Sequence, residues 1–291
     1  MPSMESTYEL IDAGDGRRLE RFGTLRVDRP APGASERRRA PALWPGAVTF
    51  RGGRGWADVN GGPPPTGEFA VGTAGVTMLV SLATGGQVGL FPEHAASAKW
   101  VREAVGRRLA KGAAPTVLNL FAYTGLLTLV AAEAGAAVTH VDASRPAAAW
   151  ARRNAAANGL DGHPVRWIVD DAAAFIRREA RRGRTYDGVI LDPPSYGHGG
   201  GRGHAPAFEL GRDIEALLRD ARAVAAPGAF WLLSTHTEGW DVGRLVATLG
   251  AALEVRPAAI TGLPLELAAT SGAHLRLGAA ARFDRLAGQP R

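Results

Sequence analysis

Four places in this 291-residue chain set an acid or a glycine at the end of a short apolar run, where a side chain can meet a ligand. The first is Asn119-Leu-Phe-Ala-Tyr-Thr-Gly125, a turn of the kind that leads from a strand into a helix. The second is Asp142, about 20 residues further on, where a carboxylate can accept hydrogen bonds from both hydroxyls of a ribose. Beside Ser144 it equally suits a helix N-terminus. The third is Asp170-Asp171, where one acid can accept from the exocyclic amine of an adenine while the other caps the helix that follows. The fourth, Leu191-Asp192-Pro193-Pro194-Ser195-Tyr196, is the most specific. Two prolines directly after a buried strand end its hydrogen-bond ladder and make the chain leave the sheet in a rigid extended form. Such a segment can turn carbonyls and a carboxylate toward an amino group, with Tyr196 beside it to stack on a planar base.

No G-x-G-x-x-G follows any of these runs, so the close backbone approach that a pyrophosphate needs is missing. A nucleoside ligand without phosphates fits better. S-adenosyl-L-methionine is one, since its ribose, adenine and amino-acid ends need acids and carbonyls.

These residues need a scaffold that brings strand ends together. From Thr116 onward the pattern alternates: strands at Thr116–Phe121, Ala137–Val141, Val165–Val169, Gly188–Leu191 and Ala229–Ser234, and helices at Leu126–Ala134, Arg145–Asn158, Ala172–Arg182 and about Phe208–Ala225. Near-continuous apolar strands between helices predict a parallel sheet covered on both faces, with ligands at its carboxyl edge. Leu253–Ile260 and Ala273–Leu277 read as strands joined by a connection without a helix, forming an antiparallel hairpin at the end. The expected fold class is α/β, Rossmann-like. Residues 1–94 read as a small N-terminal β-rich module with strands at Tyr8–Ile11, Leu25–Val27, Val48–Phe50 and Val76–Leu82, and loops at Pro30–Pro41 and Gly61–Gly67. Residues 95–113 read as a helical connector and 114–291 as the catalytic domain.

Composition removes several chemistries. Cysteine is absent, which excludes disulfides, thiolate metal sites and a cysteine nucleophile. No run reaches the ~20 apolar residues a membrane helix needs, and the start of the chain lacks the features of a signal peptide, so the expectation is a cytoplasmic protein without membrane contact. The net charge of +6, carried almost wholly by arginine, could mark a polyanionic partner or a GC-rich genome. If RNA is the partner, arginines near the cleft, with the N-terminal module contributing, should make association electrostatic.

Val117–Gly125, Thr139-His-Val-Asp-Ala-Ser144, Trp150-Ala-Arg-Arg-Asn154 and Leu191–Tyr196 together resemble the class I S-adenosylmethionine-dependent methyltransferases related to the large-subunit rRNA cytosine-C5 and guanine-N7 enzymes. Gly89-Leu-Phe-Pro-Glu-His94 resembles the short motif those proteins carry ahead of the catalytic domain. The resemblance implies that Asn119, Phe121 and Gly125 line the methionine end of the cofactor, with Glu93 and His94 near it. It also implies that Asp142 takes the ribose, Asp171 the adenine, and Asp192 through Tyr196 the methyl-accepting group.

Two departures stand out. Leu126 replaces the small residue that commonly follows the motif glycine. The cysteine that the cytosine-C5 enzymes place near the end of strand five is also missing, and the chain there reads Leu233-Ser-Thr-His-Thr237. Ser234 or Thr235 would be a poor substitute for a thiolate; His236 is either a base or a plain polar strand end. The expectation is therefore methylation of an RNA base, in rRNA, at nitrogen, with no metal. A small-molecule methyltransferase on the same scaffold and a catalytically silent RNA-binding protein are the alternatives. Oligomeric state is not legible.

Overall fold

A computed structural model describes residues 7–58, 60–83, 85–112, 114–197 and 208–287. The chain divides into two compact units, Met1–Ala95 with Leu265–Leu277, and Ala96–Pro264 with Gly278–Arg291.

In the first unit, β1 (Tyr8–Gly14), β2 (Arg17–Phe22), β3 (Leu25–Pro30), β4 (Val48–Phe50) and β5 (Trp56–Ala57) form a sheet in that order, and β6 (Phe69–Thr73) pairs with β7 (Val76–Val80) as a hairpin. The strand β2 is absent from the sequence reading because Arg17-Arg18-Leu-Glu20-Arg21 looks like a solvated run. Its charges are instead neutralised inside. Glu20 is fully buried, receiving Arg29 Nε at 2.5 Å and the Tyr8 hydroxyl at 3.0 Å, with Arg18 Nε 3.4 Å away. Burial by itself would raise the Glu20 carboxyl, but the Arg29 and Arg18 charges hold it below its ordinary range. Asp12 is also buried and anchors the Pro30–Pro41 loop, accepting from Ala40 N at 2.9 Å and Trp44 Nε1 at 2.8 Å. The β5 and β6 strands are further additions to the expected module.

The second unit begins with α1 (Ala95–Leu109); of the residues at helical spacing Trp100, Val101 and Val105 are buried, whereas Leu109 at its end is exposed. It continues with β8 (Thr116–Leu120), α2 (Leu126–Glu133), β9 (Ala137–Asp142), α3 (Arg145–Ala157), β10 (Val165–Val169), α4 (Ala172–Arg181), β11 (Tyr186–Leu191), α5 (Leu210–Arg222), β12 (Ala225–Thr235), α6 (Val242–Leu253), β13 (Thr261–Ala268) and β14 (His274–Phe283). The sheet order is β10-β9-β8-β11-β12-β14-β13, parallel from β10 to β12, with β14 antiparallel to β12. Helices α2 and α3 pack together, as do α4 and α5, and strand order reverses between β8 and β11. Leu118, Leu120, Val189, Leu191, Trp231 and Leu233 fill the core beneath.

The C-terminal expectation is corrected in one respect: Leu253–Ile260 is not a strand, the hairpin being β13 with β14, and an unforeseen helix, α6, precedes it. Its two internal glycines hide a repeat (Val242, Leu245, Val246, Leu249) that Asp241 caps by accepting from Arg244 N at 2.8 Å. The tip of the following hairpin, Leu265–Leu277, groups with the first unit, where the sequence reading had the whole of 114–291 together.

Candidate active site

At the carboxyl end of β8 the chain makes a turn with three left-handed residues, Phe121 (φ 54°), Tyr123 (φ 49°) and Gly125 (φ 91°). Only glycine adopts this region freely, and each of the other two costs roughly 1–2 kcal/mol. Position 125 also faces helix α3 closely, since a Cβ there would sit 3.1 Å from that of Ala151.

Several side chains hold this unfavourable backbone in place. Asp142, ending β9, accepts from Tyr123 N at 2.7 Å through one oxygen and from Ser144 N at 2.8 Å through the other. Asn154, buried in α3, donates to the Thr124 carbonyl at 2.8 Å. Under α2, Asn119 donates to Thr128 Oγ1 at 2.9 Å, and the same hydroxyl is hydrogen-bonded to His140 Nδ1 at 3.0 Å. Burial, helped by the charge of Arg152, drives the His140 pKa down to about 3, so the ring stays neutral and can accept. Strain of this kind, held by buried polar groups, is concentrated where ligands bind.

The structure brings Phe121, Gly125, Asp142, Asp171 and Asp192–Tyr196 to one edge of the sheet. Asp142 can serve both its backbone amides and a ribose, because an ionised carboxylate offers about four lone-pair sites. Asn119 is placed differently from its expected role, its amide turned under α2 and 2% exposed. Asp171 is the helix cap of its pair, accepting from Ala174 N at 2.8 Å, while Asp170 pairs with Arg178. Phe121 packs on Phe208 with ring centroids 5.3 Å apart. Leu126 is buried. Glu93 and His94 are buried in the first unit, where the Glu93 charge is felt by Tyr8, Glu20 and Arg29.

The segment after β11 is tied to the end of β12 by hydroxyls. Ser234 donates to Asp192 Oδ1 at 2.7 Å, and Thr235 donates to the Pro193 carbonyl at 3.1 Å. Thr237 Oγ1 lies 2.9 Å from both Thr235 Oγ1 and Ser195 Oγ. His236 Nδ1 stands 3.9 Å from Asp192 Oδ1. Tyr196 is 71% exposed, its ring available to a planar partner. Sequence reasoning did not find Thr128, His140, Asn154 or Thr237 as functional residues. Only Asn154 carried a local signal, a polar residue on the buried side of an alanine-rich helix.

This donor set fits a cationic nucleoside. Acids and carbonyls gather at the edge, and among the described residues no phosphate cradle is built there. Comparison with known proteins agrees. Residues 56–243 match the family model described as S-adenosylmethionine-dependent methyltransferase. The chain is similar to a crystal structure of a SAM-dependent methyltransferase from Agrobacterium tumefaciens, 32% identical with TM-score 0.85, covering 95% of this chain and 90% of that one. Over 153 residues, 51% of this chain, it is 34% identical to a ribosomal RNA large subunit methyltransferase I of Shewanella denitrificans, of whose length the match spans 37%. The fold also resembles that of aTrm5 in complex with tRNALeu, 13% identical with TM-score 0.53 over 96% of this chain and 72% of that one.

Proposed function

The chain belongs to the S-adenosylmethionine-dependent methyltransferase family, and from that premise we propose that it methylates a base of ribosomal RNA at a nitrogen atom by direct transfer. The cofactor, when bound, supplies a methyl group already activated on a sulfonium. The protein's share is then mainly positioning, which can remove most of the entropic barrier to a two-reactant step.

The observation that carries the reading is the hydroxyl set at the end of β12. Attack on carbon six of a pyrimidine needs a strong nucleophile. The chain has no cysteine, and the hydroxyls of Ser234 and Thr235 donate to Asp192 and the Pro193 carbonyl. What stands there is a scaffold for the Asp192–Tyr196 segment. Asp192 orients an amino or imino group of the base, the prolines hold it in place, and Tyr196 stacks on the ring. Asp142 takes the ribose of the cofactor, and the strained turn from Phe121 to Gly125 lies against its methionine end. The RNA part of the proposal is supported by the similarity to the rRNA methyltransferase of Shewanella.

Incubation with labelled cofactor and rRNA from a strain lacking the protein, followed by nucleoside mass spectrometry, is the test. A nitrogen-methylated base is the expected product. Recovery of 5-methylcytidine would overturn the nitrogen assignment, and label found only in a small molecule would overturn the RNA assignment.

A further inference from the structure

The positive charge of this protein is unevenly placed. The residues of the first unit include eleven basic and eleven acidic side chains, so the whole net charge of +6 lies in the second. Within the second unit, the stretch from Arg145 to Arg184 has nine arginines against four carboxylates. That stretch is α3, β10, α4 and the residues just after, and β10 is an edge strand flanked by α3 on one face and α4 on the other.

The arginines near the amino ends of the strands are organised around one buried acid. Glu179 receives Arg166 Nη1 and Arg182 Nη1, each at 3.0 Å, and the Tyr186 hydroxyl at 2.7 Å. Each guanidinium therefore keeps donors directed away from Glu179. Arg181 and Arg184 are exposed and pair with no carboxylate among the described residues. A cavity of about 300 Å³ opens at the amino ends of β8 to β11, lined by His163, Arg166, Arg184, Thr116, Thr139 and Tyr186 among others. The nearby Asp187 accepts from both Thr116 N and Thr116 Oγ1, at 2.8 and 3.0 Å. Charges on an edge strand can serve merely to stop sheets pairing. Such a role needs neither a concavity with arginines and hydroxyls in its lining nor guanidiniums held by a common buried carboxylate.

We propose that this β10 flank is a second RNA contact, in which Arg166, Arg181, Arg182 and Arg184 bind backbone phosphates about 16 Å, one strand length, from the methyl-accepting edge. The inference rests on the RNA reading above and names where the nucleic acid is gripped. Arginine forks match phosphate geometry. The lining hydroxyls suit a polar ligand, and the exposed apolar side chain of β10, Val169, stands at the far end of the strand from the cavity.

The experiment measures rRNA affinity against salt for the wild type, for the double variant Arg181→Gln/Arg184→Gln, and for the control Arg37→Gln/Arg51→Gln in the first unit. Two lost phosphate contacts should weaken binding at least tenfold and flatten the log–log salt slope by nearly two, with cofactor affinity unchanged by calorimetry. The control should shift affinity less than twofold. If the wild type binds and methylates rRNA but the double variant keeps its full slope, the flank is overturned and the RNA reading stands. If the wild type binds no RNA even at low salt, both fall. Binding to anionic phosphatidylserine vesicles that the double variant loses, while its RNA affinity is unchanged, would assign the flank to a lipid surface and overturn the proposal.

Discussion

The carboxyl edge of the central sheet and the β10 flank are built from the same alternation of strands and helices, yet they spend their charges in opposite ways. At the carboxyl edge three acids are committed to backbone or hydroxyl partners: Asp142 to two amides, Asp171 to a helix cap, Asp192 to Ser234. On the flank, exposed arginines fan out from a single buried acid, Glu179. The contrast separates a site that must hold one geometry from a surface that only needs a field. Substitutions at the first should disturb geometry and ligand together, while those at the second should change affinity alone.

Asp192→Ala would break this contrast most sharply. Loss of the group that orients the acceptor should reduce methyl transfer at least a hundredfold, since small misplacements cost about that much, with cofactor affinity within twofold of wild type. Retained turnover in a labelled-methyl assay would mean that the acceptor lies elsewhere.

Asp142→Ala should weaken binding of the demethylated cofactor by roughly ten- to a hundredfold, or about 1.5–3 kcal/mol, in calorimetry. Asp142→Asn, with one carbonyl oxygen left for the amides, should fall between. Wild-type affinity in Asp142→Ala would remove the ribose assignment and leave only the support of the turn.

The two regions should also differ in acid. The His140 pKa is depressed to about 3, so below its ordinary value of 6.5 the unfolded chain binds the proton more readily. Its contribution is therefore complete above pH 6.5 and declines as pH falls toward 3, by about 2 kcal/mol between pH 6.5 and 5. Glu179, held at about 2 against an ordinary 4.5, keeps its full contribution until pH drops below 4.5 and loses it on the way to 2. Urea denaturation of wild type and His140→Gln at pH 7 and pH 5 measures this. A wild type as pH-insensitive as the variant over that window would show that His140 is not the buried neutral ring described.

The smallest effect is expected at Thr237→Val, which removes the hydroxyl joining Ser195 to Thr235. A net hydrogen bond is worth about 0.5–1.5 kcal/mol. Turnover should fall tenfold or less, with stability shifted by a similar energy. A loss as large as that of Asp192→Ala would mean that Thr237 meets the acceptor directly.

The parallel sheet was legible because its strands are continuous apolar runs and its helices carry local stop and start signals such as Ser144 and Gly159. Asp142 and the Asp192–Tyr196 segment were legible for a related reason, since in this architecture a strand's last residue always arrives at the ligand edge. The hairpin at the end was read, but helix α6 was not, its period broken by Gly243 and Gly250. Nor was strand β2, whose charges look solvated until Arg29 and Arg18 are seen to close on Glu20.

Local signals cannot report pairings between residues distant in the chain, and most of the site's support is of that kind. Asn119 meets Thr128 and His140, Asp192 meets Ser234, and Arg166 meets Arg182 at Glu179 only after the sheet has assembled. The sequence by itself determined which residue types reach the carboxyl edge, because strand ends and turns are written in neighbouring residues. Only the tertiary structure decided which of them hold the backbone and which remain to face a ligand, because a hydrogen bond's value depends on a partner, and on a burial, that the folded chain alone provides.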